Sequence, residues 1–172
     1  MIDHFYPIES IISLKKEIVE LFKKLIAEEF EALKKAALAT YEDATHEESK
    51  AENEYDTRGL EASYLAGAQG KRLSEIEEIH AALKFLELKD LSKDKTIEIS
   101  ALVEVNHKNQ IRYLFLVPKG GGLQIQYKNI KIQIIASDSP LGEALIGLSE
   151  GDEAVIDSKN QQQAFYLIQS VL

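Results

Sequence analysis

The chain contains no cysteine and no tryptophan. Without thiols it has no disulfides, no thiolate zinc sites and no cysteine nucleophile, and the expected compartment is a reducing cytoplasm. No apolar run approaches the roughly 20 residues needed to cross a bilayer, so no membrane role is expected. The N-terminal MIDHFYPIES has no basic flank and no following small-residue cleavage site, and is not expected to act as a secretory signal. Histidine is sparse, at His4, His46, His80 and His107. None of these pairs has the HxxxH spacing of a zinc site, and His46 reads as a solvent-exposed turn residue. The run Gly120–Gly121–Gly122 follows Pro118–Lys119 but lacks the GxxxxGK[ST] spacing of a phosphate loop, and a flexible β-turn accounts for it. No GxSxG occurs, and no nucleophile lies beside a readable base. A self-contained enzyme active site is therefore not expected.

Positive charge is also short. The formal net charge is −9, opposite to that of a protein that grips nucleic-acid phosphates. Direct sequence-specific DNA binding is not expected, and any role near nucleic acid should pass through a protein partner or a metal ion. The acidity is concentrated. Residues 1–90 carry twelve Lys and Arg against twenty Asp and Glu, whereas residues 91–172 carry eight against nine.

What the 172 residues do hold is a hydrophobic fraction of 45% and a charged fraction of 28%, the composition of a globular chain. Glycine and proline are missing from residues 8–41, just after Pro7. Ile11, Leu14, Ile18, Leu21 and Leu25 step by three and four there, and Ile12, Val19, Phe22, Ile26, Phe30 and Leu33 widen the stripe. One long helix is predicted, with Lys15, Lys16, Glu20, Lys23, Lys24, Glu28 and Glu31 on its polar side. A second helix is marked by Ala62, Leu65, Gln69, Arg72, Ile76, Ile79, Leu83 and Leu86, the spacing of a coiled-coil seam. Gly59, Gly67 and Gly70 within it either permit close helix approach or simply cost about 1 kcal/mol each relative to alanine. Two such helices joined by a short polar stretch should pair antiparallel, and at about 30 residues each would be roughly 45 Å long.

The period changes near residue 96. Ile97–Ile99–Ala101–Val103–Val105 alternates at two, and Ile111–Tyr113–Phe115–Val117 follows a polar turn at Asn106–Gln110. Leu123–Ile125–Tyr127 and Ile130–Ile132–Ile134 predict a hairpin about Lys128–Asn129. A short helix is expected over 141–148. Strands at Ala154–Ile156 and Phe165–Ile168 should flank a turn at Ser158–Gln163. The fold class is α+β, with a helical hairpin over 1–88, a charged linker over 89–95 and an antiparallel β domain over 96–172.

Two strings stand out. From Glu42 to Asp56 the chain carries Glu42, Asp43, Glu47, Glu48, Glu52, Glu54 and Asp56 against the single Lys50. Carboxylates at this density repel unless a cation relieves them, and they are the preferred ligands of magnesium. Taken alone, an acidic, solvated helix turn that favours the following helix dipole is the plainer account of them. The second string is SPLGEALIGLSEGDEAVI at 139–156. Ser139 can cap a helix beginning at Pro140, and Gly147 and Gly151 permit tight turns into the next strand.

That second string resembles the C-terminal domain of the GreA/GreB transcript-cleavage factors, where a segment of the form SPLG-x-ALhG-x-x-x-GD-x-V lies in an FKBP-like fold behind an antiparallel coiled coil. The resemblance implies a cytoplasmic accessory factor, not an enzyme. Its C-terminal domain, including Ser139, Pro140, Leu141 and Gly142, would dock on RNA polymerase while the coiled coil enters the secondary channel. Tip carboxylates would then help hold a magnesium shared with the polymerase centre, with no cofactor on the isolated chain. Gre factors carry a tip like GDLSENAEY with an acting Asp and Glu three apart. Here the stretch Glu47–Tyr55 matches at Glu52–Asn53, with Glu54–Tyr55 displaced by one residue. The Asp position falls near Ser49, which leaves Glu48 and Glu52, supported by Glu47 and Glu54, as the expected pair. The departure also fits a divergent branch: a channel-binding inhibitor without cleavage. Two further classes remain open. One is a prolyl-isomerase or chaperone-like module, disfavoured by few aromatics for a proline pocket; the other is a self-associating coiled coil. A monomer, or one that self-associates weakly, is expected.

Overall fold

The computed structural model describes residues 8–45, 58–157 and 163–172. Helix α1 spans Ile8–Thr45 without a break, as a segment lacking glycine and proline should, and α2 spans Arg58–Lys84. Leu86, expected on the second seam, lies past its end. The chain divides into two compact units, Lys23–His80 and the pair Met1–Phe22 with Ala81–Leu172.

In the first of these units the helices run antiparallel: Ile26 and Phe30 of α1 line a cleft with Ile76 and His80 of α2, and Glu29, further along α1 than Ile26, meets Arg72, which precedes Ile76 on α2. Arg72 clasps Glu29 across the pair at 2.7 and 2.9 Å and reaches Glu75 at 3.1 Å, and the hydrogen bond it donates to Glu29 raises the guanidinium pKa. All three side chains are partly solvated, so the clasp is worth under about 1 kcal/mol and mainly fixes register. The seam is narrower than its spacing suggests. Ile76 and Ile79 are buried, but Leu65 and its neighbour Tyr64 are exposed. A methyl group added to Gly67 or Gly70 would meet nothing within 4 Å, so neither is a site of close helix approach and both only weaken α2.

The other unit is built on a six-stranded sheet. Its strands are β1 (Leu102–His107), β2 (Gln110–Val117), β3 (Gln124–Tyr127), β4 (Ile130–Ala136), β5 (Glu153–Asp157) and β6 (Gln163–Val171), in the order β3-β4-β2-β1-β6-β5. Four of the five pairings are antiparallel, as expected of this domain, and the fifth, between β2 and β4, is parallel. The β1–β2 turn is tighter than predicted: Lys108 and Asn109 alone make it, both with positive φ (54° and 61°), as a two-residue primed turn requires. Ile97–Ala101 is not a strand, although it alternates. Ser100 takes φ 76°, and only Thr96 bridges, to Ser149.

Helix α3 (Pro140–Leu145) covers one sheet face, where Leu141, Ala144, Leu145 and Leu148 pack on Val103, Val105, Leu114, Leu116 and Ile168. The first turns of α1 reach the opposite face, where Tyr127 donates to Glu17 at 2.9 Å. Lys15 overturns its assignment to the polar side. It is fully buried, and its ammonium donates to the main-chain oxygen of Lys89. Four residues after Ile11 and three before Ile18, it lies on the apolar stripe itself.

Candidate docking site and acidic turn

The 139–156 string folds as its local chemistry dictates. Ser139 is the N-cap of α3, extended at φ −82° and ψ 156°, with its hydroxyl accepting from the Gly142 amide at 3.1 Å. The same hydroxyl donates to the Ala136 carbonyl at 2.7 Å, tying the helix start to the end of β4. Pro140 occupies the first turn, where a missing N–H is harmless, and Glu143 adds negative charge at the positive end of the helix dipole. Gly147, at φ 83°, then turns the chain so that its amide donates to Ile97, and the Ile97 amide donates back to Leu148. Asp152 closes the next turn by accepting from the Ser149 amide at 2.8 Å.

The four residues named from the sequence for partner binding have different positions. Pro140 is exposed, Ser139 and Leu141 are half-buried, and Gly142 is buried. A Cβ on Gly142 would stand 2.1 Å from the Ala136 carbonyl oxygen and 2.9 Å from the Ser137 Cα, so the helix backbone sits directly on the end of β4. Outward, α3 and its flanks present Asp138, Pro140, Glu143 and the half-exposed Ile146, a small apolar surface edged by two carboxylates. Asp138, Glu143 and Ile146 were not singled out from the sequence; their position on the outer side of a capped helix was the available signal. Replacing Ser139 by alanine is expected to cost about 1 kcal/mol in urea unfolding, the usual worth of a cap, with Ser139→Thr, which keeps both donor and acceptor, recovering most of it.

The carboxylates Glu47, Glu48, Glu52 and Glu54 lie outside the described residues, as do His46 and Asp56. Among the described residues no group of three His, Asp or Glu side chains could hold a metal ion, and no helix is long and apolar enough to cross a membrane. Missed from the sequence were the stack of His107 on Tyr166, with ring centroids 4.2 Å apart, and the hydrogen bond from the His107 ring to the Phe165 carbonyl at 2.8 Å. Both depend on the β1–β6 pairing, which no local pattern encodes.

No protein-family model matches the chain, and no curated protein matches it. Solved structures do. GreA factor homolog 1 (Gfh1) of Thermus thermophilus is 18% identical, with 87% of this chain and 94% of that one covered and a TM-score of 0.35. Gfh1 of Thermus aquaticus is 17% identical over 86% and 92%, again at 0.35. A prokaryotic transcription elongation factor GreA/GreB from Nitrosomonas europaea is 22% identical over 56% and 78%, also at 0.35. At these identities and scores, the functional reading rests on the chain's own residues.

Proposed function

We propose that this chain is a Gre-like regulator of transcription elongation that binds RNA polymerase and carries its acidic helix turn into the secondary channel. The observation that carries the reading is the 139–156 string, which combines the residue pattern of the Gre C-terminal domain with a helix whose cap, buried glycine and turns use that pattern. The antiparallel hairpin and the seven acids at 42–56 against one lysine supply the second part. In this reading the outer side of α3, with Pro140, Glu143 and Ile146, meets the polymerase, while Ser139 and Gly142 hold the helix in place.

Glu48 and Glu52 are the carboxylates proposed to help hold a magnesium shared with the polymerase centre, and their oxygen donors suit that ion. When bound, such an ion stabilises charge on attacking and leaving oxygens during hydrolysis of backtracked RNA. The chain's part is accessory: its carboxylates bind and orient, and the polymerase carries out the cleavage. A dense negative turn also removes the conflict between a nucleic-acid process and a net charge of −9. The second reading, a cytoplasmic channel-binding inhibitor without cleavage, is favoured by Ser49 standing where the family pattern has Asp.

Competition for core RNA polymerase against an authentic GreA factor tests the proposal. Displacement at micromolar concentration or below is expected, and no binding at tens of micromolar would overturn it. With binding established, Glu48→Ala combined with Glu52→Ala should abolish RNA trimming in stalled complexes while changing polymerase affinity less than about twofold. A wild-type chain that binds but never trims replaces cleavage with the inhibitory reading.

A further inference from the structure

Among the described residues, the sheet face reached by α1 is only partly covered. Toward β3, β4 and β2 it is closed, with Leu102, Phe115, Val117, Ile125, Ile132 and Ile134 all buried. Toward β6 and β5 it is open. Val155 lies directly opposite Phe165, Leu167 is two residues further along β6, and Asn106 links Leu167 to Ile111 across β1. Alternation puts all of these on one face. Val155, Phe165, Leu167 and Ile111 are 42%, 45%, 39% and 49% exposed, four large apolar side chains in one oblique strip. Scattered surface hydrophobics need no explanation, whereas aligned ones mark contact sites. The strip lies on the opposite side of the sheet from α3, and so is separate from the docking surface described above.

Charge decides what fits it. Glu153 and Asp157 flank Val155 on the same face of β5 and are exposed, while Glu104 on β1 is buried. No position of β1 to β6 that alternation assigns to this face is Lys or Arg. A second copy of this chain is a poor occupant, because Glu153 and Asp157 would meet their own images on a chain already at −9. Nucleic acid and anionic lipid are repelled on the same ground.

We propose that this strip is a second protein-docking surface, whose partner is an amphipathic helix with an apolar ridge flanked by Lys or Arg. The ridge would lie along Ile111, Leu167, Phe165 and Val155, with the basic flanks against Glu153 and Asp157. Helices of this kind seat an apolar stripe in an apolar surface, and the rim charges set orientation and salt dependence.

The test is an anisotropy titration of the full chain with a dye-labelled, 18-residue leucine–lysine amphipathic helix, beside a scrambled peptide of the same composition. Micromolar binding of the helix and at least tenfold weaker binding of the scramble are expected. Phe165→Ser with Leu167→Ser should weaken the helix at least tenfold, while Leu38→Ser, at an exposed apolar position on α1, changes nothing. Glu153→Gln with Asp157→Asn should weaken binding several-fold and flatten its salt dependence; this conservative pair carries the test if the serine variant loses its circular dichroism spectrum. Equal binding of helix and scramble, or no effect of the charge pair, overturns the proposal. So does a concentration-dependent dimer in sedimentation that Phe165→Ser abolishes, since the strip would then be a self-contact. None of these measurements uses polymerase, so failure here is distinguishable from failure of the proposed function.

Discussion

Gly142→Ala is expected to destabilise the sheet unit by about 3 kcal/mol or more, although alanine is the better helix former. The two effects oppose each other and differ in size. Glycine in a helix costs up to about 1 kcal/mol relative to alanine, so propensity alone predicts a gain. The new methyl, however, would stand 2.1 Å from a carbonyl oxygen that belongs to the end of β4 and has no free rotor to move aside. Relief requires α3 to lift away from β4, which also strains the bond from the Ser139 hydroxyl to that same Ala136 oxygen. Overpacking of this kind costs about 1–3 kcal/mol where side chains can yield, and more against fixed backbone. Urea unfolding followed by tyrosine fluorescence measures it, since Tyr113, Tyr127 and Tyr166 all lie in the sheet. A loss below about 1 kcal/mol would show that α3 is not seated as described.

The second large effect is a rise in stability on the alkaline side. Burial lowers the Lys15 pKa to about 8 from 10.5, with nearby Asp90 opposing the shift. Between these two values the unfolded chain holds a proton that the folded chain has released, so stability increases with pH across that window and is flat below it. At about 1.4 kcal/mol per unit, the gain amounts to about 2 kcal/mol by about pH 9.5. Above that, other groups reverse the trend. Burial raises the phenol pKa values of Tyr113 and Tyr127, and the Glu98 hydrogen bond raises that of the Lys89 ammonium. Each then keeps its proton longer in the folded state, and stability is lost as pH climbs past 10. The wild type should therefore show a maximum near pH 10, and Lys15→Met should show no rise before the decline. A wild-type curve flat from pH 7.5 to 9.5 would mean that the Lys15 amine is hydrated.

These two residues mark the limit of what the sequence makes legible. Helix α1 is readable because a three–four stripe uninterrupted by glycine or proline has few alternatives, and α2 because the same spacing persists through its three glycines. The cap at Ser139 and the turns at Gly147 and Gly151 are readable because one or two residues determine them. Lys15 is not, since a lysine on an apolar stripe looks like a polar boundary until the buried carbonyl that satisfies it is known. Gly142 reads as one member of a motif, and its contact with Ala136 exists only once β4 and α3 are placed together. Alternation misleads at Ile97–Ala101: a strand would put Ile97 and Ile99 on one face, but Ile97 is buried and Ile99 exposed, and Ser100 at positive φ breaks the extended path. The parallel β2–β4 pairing and the open strip have no local signal, being products of strand order. Of the acidic stretch, composition is what the chain discloses; past Glu42 and Asp43 at the end of α1, its carboxylates lie outside the described residues.

The strand order β3-β4-β2-β1-β6-β5 has a kinetic corollary. It is three hairpins of chain neighbours laid edge to edge, each able to zip within microseconds. The two seams between them are what must wait. The β2–β4 seam joins residues about twenty apart, Tyr113 to Ile132, while the β1–β6 seam joins Val103 to Val171. Loop-closure entropy is greater for the second, so its zipping sets the pace at which the sheet becomes whole.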